Sequence, residues 1–186
     1  MHAASLAQLQ TITDQAMQQP VGQARVDAFL NALGPIHEAW HMTPMSQRKL
    51  GFLLFHWHVV QHFGTVGGPA AFGGVTPFAP SDFRRFGWPY NVAVTVGRGQ
   101  INALETFSQD VENWHNRAHM AIGMAFGVDL MNPRTNIKLV QFWQLHFFIN
   151  SAFEKKLRTF RRSSSQRLLA VVADIESRNH ASVPDI

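Results

Sequence analysis

Eight of the ten histidines, His37, His41, His56, His58, His62, His115, His119 and His146, lie in stretches where apolar residues recur every three or four positions. That period puts one apolar face on an α-helix and differs from the alternation of a half-buried strand. A chain patterned this way folds as packed helices and must also bury imidazoles, each of which then needs a polar partner or an ion. The sequence offers few other reactive groups, with no cysteine and a single tyrosine. A disulfide framework and a thiolate metal site are therefore excluded, and any metal must be held through nitrogen or oxygen.

The spacing predicts one all-α domain over residues 1–186, with helices near 4–18, 24–41, 46–63, 100–125, 135–160 and 164–178. Pro20 and Gly22 separate the first two helices, and Gly34-Pro35 is expected to kink or interrupt the second. Ser164 and Ser165 offer N-caps for the last. From Gly64 to Arg98 the pattern changes to glycine and proline with scattered aromatics, which reads as a long ordered loop packed on the body as a lid or pocket wall. Within it, Asn91 to Val96 alternates as a small strand would.

The formal charge is +4, and Lys155, Lys156, Arg158, Arg161, Arg162 and Arg167 crowd one stretch. No aromatics interleave there at stacking spacing, so a solvated face is expected and no nucleic-acid partner. No apolar run is long enough to span a bilayer, and residues 1–19 carry no signal-peptide pattern, so the expectation is a cytoplasmic protein without a membrane partner. The oligomeric state is left open, a homo-oligomer included.

In Glu112-Asn113-Trp114-His115-Asn116-Arg117-Ala118-His119 the two histidines stand four apart, on one helical face, and can chelate one ion. Downstream comes Phe142-Trp143-Gln144-Leu145-His146-Phe147-Phe148-Ile149-Asn150. Together these segments resemble the second-copper region of the type-3 copper proteins: tyrosinases, arthropod hemocyanins and phenoloxidases. Residues Gly127-Val128, Met131-Asn132-Pro133 and Thr135 are similar to the linker of the arthropod members, and Asn150 stands where the family has Asp. The resemblance implies a copper ion on His115, His119 and His146.

For the first copper, Phe52-Leu53-Leu54-Phe55-His56, with Val60 and Phe63, is similar to a tyrosinase segment and nominates His56. A second register, Phe55-His56-Trp57-His58-Val59-Val60, is similar to an arthropod segment and nominates His58, while His62 shares a helical face with His58. The remaining ligands would be His37 and His41, and the loop histidine expected nine residues before His56 is replaced by Gln47. The ligand set the resemblance implies is His37, His41 and His56 with His115, His119 and His146.

The resemblance thus implies a helical bundle with a dicopper centre between antiparallel helices. It implies a copper-dependent oxidoreductase that uses O2 to hydroxylate or oxidise phenols, o-diphenols or o-aminophenols. Glu112 and Asn116 are the candidate catalytic residues, placed to orient a water that deprotonates the phenol. Phe147, Phe148, Met120 and Met124 read as core packing. The alternative is a degenerate copper-binding or assembly module, or an oxygen-binding protein, without phenol oxidase activity. A third reading comes from His37-Glu38-Ala39-Trp40-His41, which matches the His-Glu-x-x-His pattern of zinc hydrolases with Glu38 as general base.

Overall fold

The computed structural model describes residues 3–44, 51–83 and 101–161, and every regular element among them is helical. In chain order these are α1 (Ala3–Met17), α2 (Gln23–Met42), α3 (Gly51–Thr65), short α4 (Gly68–Ala71) and α5 (Pro80–Phe83), α6 (Ile101–Phe126), a 3-10 turn (Asn136–Lys138) and α7 (Val140–Arg161). The expected all-α class is what the described residues form. Gln47, the expected strand at 91–96, residues 84–98 of the expected loop and the expected helix at 164–178 lie outside them. Among the described residues no helix is long and apolar enough to cross a membrane.

Helix α3 is the most apolar of the set and sits at the centre of the bundle, packed on α1, α6 and α7. Its buried residues include Phe52, Phe55, His56, Val59, Val60 and Phe63. Phe63 stacks on Trp143 of α7 with centroids 3.5 Å apart, and Trp143 Nε1 donates to the Ile137 carbonyl at 2.7 Å. Helix α7 thereby meets α3 in one register.

An interruption of the second helix and core packing of Met120 and Met124 are both absent from the described residues. Helix α2 runs through Gly34-Pro35 as one helix. An interior proline costs roughly 3 kcal/mol, while Phe29, Leu30, Leu33 and Trp40 around it are buried at about 1.5–3 kcal/mol each, so packing outweighs the break. Met120 and Met124 are 51% and 74% exposed and do not belong to the core. The buried face of α6 is set by Val111, Trp114, Ala118 and Ile122, and a residue two positions from that stripe points about 200° away from it.

The expected loop after Gly64 is partly helical. Helices α4 and α5 lie within it, and Phe72, Val75 and Phe78 pack against the core.

The linker from α6 to α7 approaches the bundle closely at two glycines. A Cβ on Gly34 would sit 2.6 Å from the Arg134 carbonyl oxygen, and one on Gly123 would sit 2.8 Å from that of Val128. The linker's own turns are tied by Asp129, whose carboxylate accepts from the Met131 amide at 3.0 Å, and by Asn132, whose Oδ1 accepts from the Arg134 amide at 3.0 Å. Gly34→Val is expected to force this linker outward and to destabilise the fold by about 1–3 kcal/mol, as overpacking does. Thermal unfolding followed by circular dichroism checks this, and an unchanged midpoint would contradict the close approach.

Candidate metal centre

Four helices deliver six histidines to one place: His37 and His41 from α2, His56 from α3, His115 and His119 from α6, and His146 from α7. Five of them are nearly inaccessible, with His37, His56 and His146 at 0%, His115 at 2% and His119 at 4% exposure, while His41 is half-buried. The walls are aromatic. Phe142 stacks on His146 with centroids 3.8 Å apart, Phe52 lies 4.5 Å from His56, and Trp40 stacks on Phe55 at 4.8 Å.

Backbone carbonyls decide how these rings face. Nδ1 of His56 donates to the Phe52 carbonyl at 2.8 Å, and Nδ1 of His146 donates to the Phe142 carbonyl at 2.8 Å. The linker supplies the other two: Nδ1 of His37 donates to Pro133 and Nδ1 of His119 to Leu130, each at 2.6 Å. Leu130 is itself held by Asn136, whose Nδ2 donates to the same carbonyl at 3.1 Å. Nδ1 of His115 donates to Asn116 Oδ1 at 3.3 Å.

A backbone carbonyl can only accept, so Nδ1 of His37, His56, His119 and His146 carries its hydrogen and Nε2 of each neutral ring is a bare lone pair. Those lone pairs face one another. His37 Nε2 lies 3.3 Å from His56 Nε2, and His115 Nε2 lies 3.1 Å from His146 Nε2. Nε2 of His119 is buried without a hydrogen-bond partner. Protonation does not relieve the contact, because burial, the largest cause, lowers every one of these pKa values. His37 and His119 fall to about 4, and His56, His115 and His146 go well below the ordinary histidine value.

A buried acceptor left without a donor costs about 1–3 kcal/mol; His41 Nε2, 3.1 Å from His37 Nε2, can donate to it, and the bare nitrogens of His56, His119 and His146 still carry several kcal/mol between them, a large share of a domain's stability of about 5–15 kcal/mol. A cation at the centre removes that penalty. Nitrogens at about 2.0–2.1 Å from one ion, at near-tetrahedral angles, stand roughly 3.3 Å apart, which is the spacing found here. Two groups have all their ligand atoms within 4.8 Å of one another: His37, His41 and His56, and His56, His115 and His146. His56 belongs to both, and its ring stacks 4.8 Å from that of His146. His119 flanks the second group, with ring centroids 4.1 Å from His115 and 5.6 Å from His146.

Of the three α3 histidines, His56 joins the cluster. His58 and His62 are half-buried on another face of the helix, where Thr13 of α1 hydrogen-bonds His62. Glu38 is engaged by Arg134 at 3.0 Å in an exposed pair, an arrangement that does not suit a general base for metal-bound water. Glu112 is buried at 1% exposure, one turn before His115, whereas Asn116 is exposed and touches the site through His115 Nδ1. Sequence reasoning missed the carbonyls that orient the rings. Two of them had a legible signal, since Phe52 and Phe142 each stand four residues before a histidine of the cluster.

The chain matches no protein-family model, no curated protein and no solved structure.

In the metal-free protein His37 and His119 have pKa values of about 4 in the fold against an ordinary value of 6.5. The unfolded chain therefore takes up protons first as pH falls. The stability present above pH 6.5 is expected to decline progressively toward pH 4. Urea unfolding in the presence of a chelator, at a series of pH values, measures this, and a midpoint independent of pH across that window would contradict neutral, buried imidazoles.

Proposed function

We propose that this chain is a small type-3 copper oxidoreductase that holds two copper ions on His37, His41, His56, His115, His119 and His146 and uses O2 to hydroxylate or oxidise phenols, o-diphenols or o-aminophenols. The observation that carries the reading is the set of bare, buried Nε2 lone pairs converging from four helices. An all-imidazole ligand set suits copper, and the sequence around His115, His119 and His146 resembles the second-copper region of that family. When bound, a copper pair supplies dioxygen binding and the two-electron oxidation of the ring.

The chain's own groups do the rest. Carbonyls of Phe52, Pro133, Leu130 and Phe142 hold each ring in the tautomer that leaves Nε2 free, the role of partners behind a metal ligand. Asn116 does the same for His115 as a positioning residue. Phe52, Phe55, Trp40 and Phe142 exclude water from the imidazoles. His41, half-buried, marks the side from which a phenol approaches. Glu112, buried one turn before His115, is the carboxylate assigned to proton transfer from the incoming phenol.

A second reading, an oxygen- or copper-binding protein without phenol oxidation, is favoured by one observation: five of the six imidazoles are exposed by no more than 4%, which leaves an aromatic ring little access. Copper content and oxygen uptake with an o-diphenol separate the two. The oxidase reading expects two copper ions per chain and oxygen consumption that depends on the diphenol. Copper without consumption selects the second reading, and no copper at all overturns both. His146→Ala is expected to lower copper content and to abolish most of the activity, and full retention of both would contradict the assignment.

A further inference from the structure

Three His-x-x-x-His pairs occur in the chain, and the buried cluster uses only two of them. The third, His58 and His62, lies on α3. Two residues separate His58 from His56, a rotation of about 200°, so this pair stands on the opposite side of the helix from the cluster. Both rings are half-buried, and residues four apart on a helix are neighbours with Cβ atoms roughly 5–6 Å apart.

His62 is oriented as a ligand is. Thr13 Oγ1, buried at 2% exposure, donates to the Leu9 carbonyl at 2.8 Å. With its single hydrogen on that carbonyl, Thr13 Oγ1 accepts from His62 Nδ1, also at 2.8 Å. In that arrangement Nδ1 of His62 carries the hydrogen and Nε2 is the nitrogen left for an ion. His58 is braced one turn earlier: its ring meets Trp57 edge-on at 4.9 Å, and Trp57 Nε1 donates to Glu154 at 3.2 Å. At His62 this is the pattern seen in the buried cluster, a nitrogen freed by a hydrogen bond behind it, with a hydroxyl in place of a carbonyl.

We propose that His58 and His62 form a separate, solvent-accessible site for a single imidazole-preferring divalent ion such as copper(II), nickel(II) or zinc(II), with Thr13 as its positioning residue. Two protein nitrogens leave the remaining coordination positions to water, so the ion is held more weakly than by three. The site does not depend on the chemistry proposed for the cluster.

Copper(II) alone, titrated into chelator-stripped full-length protein and followed by electron paramagnetic resonance, tests it. The wild type is expected to show a mononuclear signal with nitrogen hyperfine structure that is lost, with one equivalent of bound copper, in His58→Gln and in His62→Gln. The glutamines keep a polar side chain toward α1, and circular dichroism verifies that the helices are retained. Thr13→Val is expected to weaken this copper about 10–100-fold, the usual effect of losing a partner behind a ligand, with Thr13→Ser restoring it. An unchanged signal and stoichiometry in both glutamine variants would overturn the proposal. His146→Ala reports on the cluster independently: it removes copper there and leaves the outer signal in place, so failure at one site is distinguishable from failure at the other.

Discussion

The arrangement of the site depends on imidazole nitrogens that face one another inside an aromatic shell. Proteins bury histidine readily when each ring nitrogen finds a donor or an acceptor. Here Nδ1 of His37, His56, His119 and His146 is satisfied by a backbone carbonyl and Nε2 carries a lone pair; those of His37 and His56 stand 3.3 Å apart, with His41 Nε2 3.1 Å from His37 and His115 Nε2 3.1 Å from His146. Charging the rings is opposed by the aromatic surroundings, which is why the pKa values fall and do not rise. A shared cation satisfies several such lone pairs at once.

Two devices hold the rings in this costly state. On α3 and α7 the device is local: the carbonyl four residues back, from Phe52 or Phe142, receives the Nδ1 hydrogen. On α2 and α6 it is the linker at 127–135 that reaches across, with Pro133 over His37 and Leu130 over His119. Gly34 and Gly123 are the positions where that linker passes too close for any side chain. A single short segment thus sets one histidine on each of two helices that are far apart in sequence.

Much of this was legible in the residues. Helical periodicity gave the class, and the four-residue spacings of His37 with His41 and of His115 with His119 placed each pair on one face. The place of His146 came from a resemblance in the surrounding segment and not from spacing. Among His56, His58 and His62, all in one apolar run, one register of the resemblance nominated His56 and another His58; that His56 is the one in the cluster follows from which face of α3 meets α2 and α7, a tertiary fact. The continuity of α2 through Gly34-Pro35 and the exposure of Met120 and Met124 were misjudged for the same reason. Propensity and hydrophobicity are local, and packing partners decided both.

The central claim, that a metal pair occupies the space these imidazoles enclose, is tested most directly by diffraction from copper-loaded crystals at wavelengths on either side of the copper absorption edge. Two anomalous peaks bounded by Nε2 atoms of His37, His41, His56, His115, His119 and His146 are predicted. Full copper loading with no anomalous density inside that ring of nitrogens would contradict the account.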